Sequence, residues 1–276
     1  MTDFKLIAID LDGTSLKKNG HFSDATRNAI EKAIAAGIMV VPTTGRTLSE
    51  IPDEIRALPG MKYAIIANGA SIMDLENDEE IYSDLIPLDV AAEIFKQSYA
   101  QNLTFYAYSE GISYCDERFM NDSISHFGAG GANYSWLAER VRFVTDLSAY
   151  FAKGKRTVEK IGIYKVTATE REILEKTVAA FPEIVITSSD YVNMEINSAT
   201  ANKGSALLQL CSGLGITPKE IMAIGDGNND VEMLTVAGFS VAMGNAVPRA
   251  KQAASYITVT NEEEGLAAAF RKFLRV

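Results

Sequence analysis

Cysteine, histidine and tryptophan are scarce in this chain: two, two and one among 276 residues. Cys115 and Cys211 stand far apart and form no CxxC or Cys/His spacing, so neither a disulfide framework nor a thiolate-built metal site organises the fold. They read as ordinary thiols of a reducing compartment. Nowhere does an apolar run approach the ~18 to 20 residues that a membrane span needs. The opening stretch, Met1 to Gly13, has too short an apolar run for a signal peptide and carries charges within it. A cytoplasmic protein without a membrane partner is expected. Basic residues are also in deficit, 26 Lys and Arg against 36 Asp and Glu, for a formal charge of −10. Nucleic acid is therefore not an expected partner, because binding it needs a cationic stripe and none is present. An acidic surface also repels phosphorylated ligands at long range, so any phosphate site must be locally cationic, and a bound metal would serve.

What the chain does have is apolar residues, 47% of the total, gathered into short runs that stop abruptly. Leu6–Ile9, Ile38–Val41, Ala64–Ile66, Ile221–Ile224 and Ser240–Met243 are continuous rather than alternating. That pattern suits strands covered on both faces of a parallel sheet. Helical patterns lie between them: Ser23 to Gly37 with Ser23 as N-cap, Lys203 to Ser212, and Asn229 to Ala237. The last helix is expected to start near Asn261, with Glu264 completing a capping box. Between Leu85 and Asp190 the pattern changes to mixed segments that hold most of the aromatic residues. Helices are expected at Leu88–Gln101 and Thr169–Phe181, and strands at Thr104–Tyr108, Ile112–Cys115, Ile161–Val166 and Ile184–Thr187. The expected architecture is α/β: a Rossmann-like, doubly wound parallel-sheet core from residues 1–84 and 191–276, with an inserted α+β cap at 85–190.

Polar clusters follow three of the apolar runs. Asp10-Leu11-Asp12-Gly13-Thr14 follows the first, Thr43-Thr44-Gly45-Arg46 the second and Gly225-Asp226-Gly227-Asn228-Asn229-Asp230 the fourth; Asn202-Lys203-Gly204 opens a helix. In open α/β sheets ligands bind at that edge. Taken singly, each cluster is ordinary turn or cap chemistry. Together they bring carboxylates, a hydroxyl and an amine to one place, which suits phosphate-ester hydrolysis. Asp10 can act as nucleophile and divide the reaction through an acyl phosphate. Two unit charges 4 Å apart repel by about 4 kcal/mol at an effective dielectric of 20. A divalent cation held by Asp10 and Asp226 removes that repulsion, and hard oxygen ligands point to Mg²⁺. Lys203 and the Thr44 hydroxyl can hold the remaining phosphate oxygens. Asp12 can serve as general acid and base if the chain turns at Gly13.

These motifs resemble the haloacid dehalogenase-like hydrolases, and within them the Cof-type phosphatases. Asp10 to Thr14 matches the DxDGT motif, Thr44 and Lys203 the motif hydroxyl and lysine, and Gly225 to Asp230 the GDxxND motif. Thr44-Gly45-Arg46, Asn68-Gly69-Ala70, Asn202-Lys203-Gly204 and Val241 to Ala246 are further markers. The resemblance implies that Asp10, Asp226 and the backbone carbonyl of Asp12 hold Mg²⁺. It implies that Leu11 (by its backbone), Thr44, Gly45, Lys203 and Asn229 bind phosphate, with Asp230 and Arg46 in support. It also implies a small phosphorylated metabolite, such as a sugar phosphate, as substrate. Ser15 departs from the pattern, since Leu is more usual there.

A phosphomutase of the same fold and a non-catalytic phosphometabolite-binding protein are the competing readings; a monomer and a small homo-oligomer are both compatible with the sequence. His21 is expected in an exposed turn, with a substrate contact as the alternative, and His126 at the cap surface or as a satisfied, partly buried ring. Gly128 to Gly131 reads as a flexible connection rather than a phosphate loop. Tyr106, Tyr108 and Tyr114 are spaced for strand faces, where packing is the expected role and lining a substrate entrance the alternative.

Overall fold

The computed structural model describes residues 4–122, 139–187 and 192–274. His126, Trp136 and the glycine-rich stretch 128–131 lie outside the described residues. None of the helices among the described residues is long and apolar enough to cross a membrane.

The chain forms two compact units. The first takes the described residues up to Gly45, then Ile51–Tyr82, and the chain from Asn202 onward; the second takes Arg46–Glu50 and the described part of Ser83–Ala201. The first unit is built on a five-stranded parallel sheet, in the order Tyr256–Ile257, Phe239–Ala242, Ile221–Gly225, Leu6–Ile9, Met39–Pro42. Its interior strand Leu6–Ile9, between Ile221–Gly225 and Met39–Pro42, is wholly buried, which is why that run is apolar on both faces. The chain winds from this strand to Met39–Pro42 on one side, and returns later through Ile221–Gly225 on the other. The strand order therefore reverses between Leu6–Ile9 and Ile221–Gly225, the switch point at which such sheets open a crevice.

Register does the rest. Ile9 pairs with both Ile224 and Pro42. Beyond those pairs Asp10 N donates to Ile224 O at 3.0 Å, and Thr43 N to Ile9 O at 2.8 Å. Asp10, Thr43 and the Gly225-Asp226 turn thus leave the sheet at one level.

The expected helix at Ser23 runs over Asp24–Ala35, with the Ser23 hydroxyl accepting from Thr26 N. Two expectations fail here. Ala64–Ile66 belongs to a strand, Tyr63–Ile66, that pairs antiparallel with Ser71–Asp74 in a separate three-stranded sheet; a single parallel bridge, Thr43 to Ile65, links it to the strand before. The last helix begins at Gly265, not near Asn261, and Glu264 sits in a left-handed conformation (φ 65°) with no side-chain cap. Its carboxylate is taken by Lys17, at 2.5 Å, and by Ser23, while the Asn261 amide donates to Leu16 O. A long-range ion pair has displaced the local cap.

The second unit holds a six-stranded sheet, ordered Ile184–Ile186, Met194–Ser198, Lys160–Ile163, Phe105–Ser109, Ile112–Asp116, Val141–Val144. All neighbours are antiparallel except the last pair. Helices run over Leu88–Ala100, Leu147–Gly154 and Ala168–Val178, the last opened by a Thr167/Glu170 capping box. One face of the sheet is aromatic: Phe105 stacks on Phe95 at 5.4 Å, and Phe151 meets Phe95 and Tyr114 at 5.7 and 5.6 Å. The opposite face carries Tyr106 and Tyr108, and all three tyrosines are buried in the packing of this sheet.

The unit boundaries differ from 84/85 and 190/191. Met194–Ser198 pairs with Lys160–Ile163, which carries the second unit on to Ala201. Arg46–Glu50 joins it because the Glu50 carboxylate accepts from Ser113 Oγ at 2.5 Å and from Thr47 N at 3.0 Å.

In the first unit the helix Lys203–Leu214 packs on Val231–Val236. A Cβ on Gly204 would lie 2.7 Å from the Glu232 carbonyl carbon. In an open helix, replacing glycine by alanine gains up to ~1 kcal/mol. Here overpacking, typically ~1 to 3 kcal/mol, outweighs it. Gly204→Ala is expected to lower the melting temperature by several degrees in a circular dichroism scan; a rise would mean that the two helices are not in this contact.

Candidate active site

Asp10 is the first residue past its strand and is 5% exposed. Lys203 is the first residue of its helix, capped by Asn202, whose side chain accepts from Ser205 N. That placement sends the lysine inward, wholly buried, where Nζ donates to Asp10 Oδ1 and Asp230 Oδ1, both at 2.6 Å. Asp230 holds the third strand-end loop closed: its Oδ2 accepts from Asp226 N and Gly227 N at 2.8 Å each. Asp10, Asp226 and Asp230 each present an oxygen within 4.8 Å of the others.

Charge does not balance among these groups. Burial raises the Asp10 carboxyl well above its ordinary value, and the neighbouring Asp230 and Asp226 add to the rise against the pull of Lys203. Asp226 is pushed up to about 6 by burial and then by Asp230, with the Thr14 hydroxyl working the other way. Burial opposes the charge on Lys203, but Asp10 and Asp230 outweigh it and the ammonium is held above its usual range. One cation thus serves three carboxylates, and a further cation at Asp10 and Asp226 would relieve the excess. The donors are hard oxygens, with no histidine or cysteine in the cluster. A divalent cation fits them.

The loop after Asp10 turns as expected. Leu16 N and Thr14 N both return to Leu11 O, and Gly13 has φ 80°. A Cβ there would fall 2.3 Å from Asp226 Oδ2, so the residue must be glycine for the two loops to meet. Leu11 is buried and Asp12 exposed. Ser15, the departure from the motif, is buried and donates to Asp10 O at 2.6 Å, so its hydroxyl braces the strand end. His21 is exposed in the small hairpin that follows.

Thr44 is buried; its N–H donates to Ile65 O and its carbonyl accepts from Asn68 N. Asn229 Nδ2 donates to Asn68 Oδ1 at 3.0 Å, and Gly45 lies against that same oxygen. Asp10, Asp226, Asp230 and Lys203 therefore converge, while Thr44, Gly45 and Asn229 gather around Asn68. Arg46 falls in the second unit, where Nη1 donates to Glu50 O at 2.9 Å.

Three participants had no role in the sequence reading. Thr14 donates to Asp226 Oδ1 at 3.1 Å. Asn245 bridges Gly13 O and Asp226 Oδ2 at 2.8 and 3.2 Å, and is itself fixed by Asn261 N. Asn245 and Asn68 lie in marker segments, where a polar residue directly after an apolar run was the available signal. The two cysteines are buried and burial pushes their thiols up, to about 12 for Cys115 and about 11 for Cys211, which keeps them unreactive at neutral pH.

Carboxylates, a buried lysine and hydroxyls are thus assembled at the switch point of a parallel α/β sheet, where such folds place their ligand sites. The comparisons make this specific. A family model described as a haloacid dehalogenase-like hydrolase matches residues 7–270. The chain is 33% identical over 272 residues to the 5-amino-6-(5-phospho-D-ribitylamino)uracil phosphatase YcsE of Bacillus subtilis (strain 168), covering 99% of this chain and 96% of that one. It is 32% identical over 278 residues to the phosphatase YwpJ of the same organism, with 95% and 97% covered. Among solved structures, a haloacid dehalogenase-like hydrolase from B. subtilis matches with a TM-score of 0.84 at 30% identity, over 98% of this chain and all of that one. The chain belongs to the haloacid dehalogenase-like hydrolases, and it is an enzyme of the hydrolase class.

The raised Asp226 gives a signed expectation. Its folded value, about 6, lies above the ordinary 3.8, so the folded state binds this proton more tightly than the unfolded chain. The stability this contributes is present at low pH and is lost as pH rises through about 6. In EDTA, Asp226→Asn should therefore match the wild type near pH 4 and exceed its melting temperature at neutral pH. Added Mg²⁺ should stabilise the wild type at neutral pH and leave the variant unmoved. A variant less stable than wild type in EDTA at neutral pH would contradict the charge excess.

Proposed function

We propose that the chain is a Mg²⁺-dependent phosphatase that hydrolyses small phosphate monoesters through an aspartyl-phosphate on Asp10. The observation that carries this reading is the buried Lys203 ammonium held 2.6 Å from the carboxylate that leaves the sheet at the switch point.

Asp10 attacks phosphorus, the ester P–O bond breaks, and Asp12, protonated at that stage, gives its proton to the departing oxygen. Water then attacks the acyl phosphate, Asp12 takes the water's proton, and orthophosphate leaves with Asp10 restored. Lys203 stays charged throughout and offsets negative charge on the phosphoryl oxygens. The Leu11 and Gly45 backbone, the Thr44 hydroxyl and the Asn229 amide supply further donors. Asp10 and Asp226, with the Asp12 carbonyl, would hold Mg²⁺, which polarises the phosphoryl group and lets two carboxylates ionise together. A nucleophilic carboxylate must be ionised, and a cation beside Asp10 would join Lys203 in opposing the upward push that burial and Asp230 exert on it.

The second unit fits a cap that reads the alcohol part of the substrate. On the sheet face away from its aromatic core, Tyr108 pairs across from Lys160, and Lys160 from Asn197. Lys160 is almost wholly buried and donates to Glu195 at 2.7 Å. Such donors and acceptors suit a hydroxylated substrate. Sugar phosphates and a phosphoribitylamino-uracil, the compound in the name of YcsE, are therefore the substrates to try first.

The test is phosphate release from that panel, with and without EDTA. Turnover should need divalent metal, and Asp10→Asn should lower kcat on the order of 10³-fold or more. Isomerised ester in place of free phosphate would favour a phosphomutase, and metal binding without turnover a binding protein. Near-normal turnover of the Asp10 variant would remove the nucleophile.

A further inference from the structure

The pieces that surround the proposed phosphate position are spaced by Asn68. It lies in a turn of three successive left-handed residues, Ala67, Asn68 and Gly69, at φ 49°, 60° and 95°. Two of these are not glycine, and such backbone persists only where its surroundings hold it in place. The surroundings are specific. Asn68 is 3% exposed. Its N–H donates to Thr44 O at 3.0 Å, and its Oδ1 accepts from Asn229 Nδ2 at 3.0 Å. A Cβ on Gly45 would stand 2.6 Å from that same Oδ1, and one on Gly69 would stand 2.3 Å from Asn202 O and 3.0 Å from Lys203 N. One turn thus abuts the Thr44–Gly45 loop, the Asn229 side chain and the start of the helix that delivers Lys203.

We propose that Asn68 is a positioning residue: its carboxamide orients Asn229 and sets the Gly45 backbone so that both can donate to the phosphoryl group. This rests on the phosphatase reading, and it adds a residue that acts through others. Asn229 has several rotamers, and an acceptor at 3.0 Å selects the one that binding uses. Gly45 must be glycine because the Asn68 oxygen occupies the space of a side chain.

The variant to use is Asn68→Gly, which accepts the left-handed backbone without strain and deletes only the carboxamide. Its melting temperature should stay close to wild type. With p-nitrophenyl phosphate and Mg²⁺, kcat/KM should fall about tenfold, equivalent to about 1.4 kcal/mol. The inhibition constant for inorganic phosphate should rise by a similar factor. Asn229→Ala should act alike, and the double variant should be no worse than either single one, because both remove the same placed amide. A purely structural role would lower stability and leave the two losses to multiply. An unchanged kcat/KM in Asn68→Gly, or multiplying losses, overturns the proposal while wild-type turnover upholds the phosphatase reading. A wild type that neither turns over ester nor binds phosphate overturns both.

Discussion

A lysine with no exposed surface, shared between Asp10 and Asp230 at 2.6 Å each, is the contact on which the first unit's arrangement depends. Burying an ammonium costs several kcal/mol unless paired charges and hydrogen bonds offset it. The offset here comes from carboxylates on two different strand ends, so the lysine cannot be satisfied unless Leu6–Ile9 and Ile221–Gly225 end at the same level. The N-terminal end of a twelve-residue helix brings its own positive dipole to the same place. Folding energetics and site geometry are thus one requirement: a register slip between these strands would leave a buried charge alone.

How much of this could be read beforehand depends on whether a feature is local. The strands at Leu6, Ile38, Ile221 and Ser240 announced themselves, because residues covered on both faces must be apolar throughout. Register is a property of pairs, and no single run says that Ile9 stands level with Ile224 and Pro42. The Glu264 cap failed for a similar reason. Three residues beyond Asn261 is the right spacing for a box, but the carboxylate had a stronger partner in Lys17, remote in sequence. The antiparallel hairpin at Tyr63 to Asp74 did leave a local signal, since Asn68-Gly69 is a hairpin dipeptide flanked by apolar residues.

The inserted unit was legible as an aromatic, mixed segment, and two of its three described helices and four of its six strands fall where they were expected; the helix Leu147–Gly154 and the strands Val141–Val144 and Met194–Ser198 were not anticipated. Its C-terminal limit was not legible. Met194–Ser198 reads as well for a strand of one sheet as for a strand of the other, and only its pairing with Lys160–Ile163 decides. Charge inside that sheet was also hidden. Lys160 looks like any solvated lysine until its neighbours, Glu195 and the Tyr108 ring 4.4 Å away, are seen to enclose it.

Asp226 and Asp230 show what sequence withholds even within a motif that it displays clearly. They are the same residue type, four positions apart, and the motif resemblance assigns them different work without giving the physical reason. Asp230 has both oxygens engaged, one by Lys203 and one by two backbone amides, so its negative charge is already spent on holding the loop. Asp226 accepts from the neutral side chains of Thr14 and Asn245, which orient it without cancelling its charge. A carboxylate that is aligned but not neutralised, beside a second one on Asp10, is the pair with attraction left for a cation. In the proposed reading the metal falls to Asp10 and Asp226 and the scaffold to Asp230, in line with the two backbone amides and the lysine that already engage Asp230.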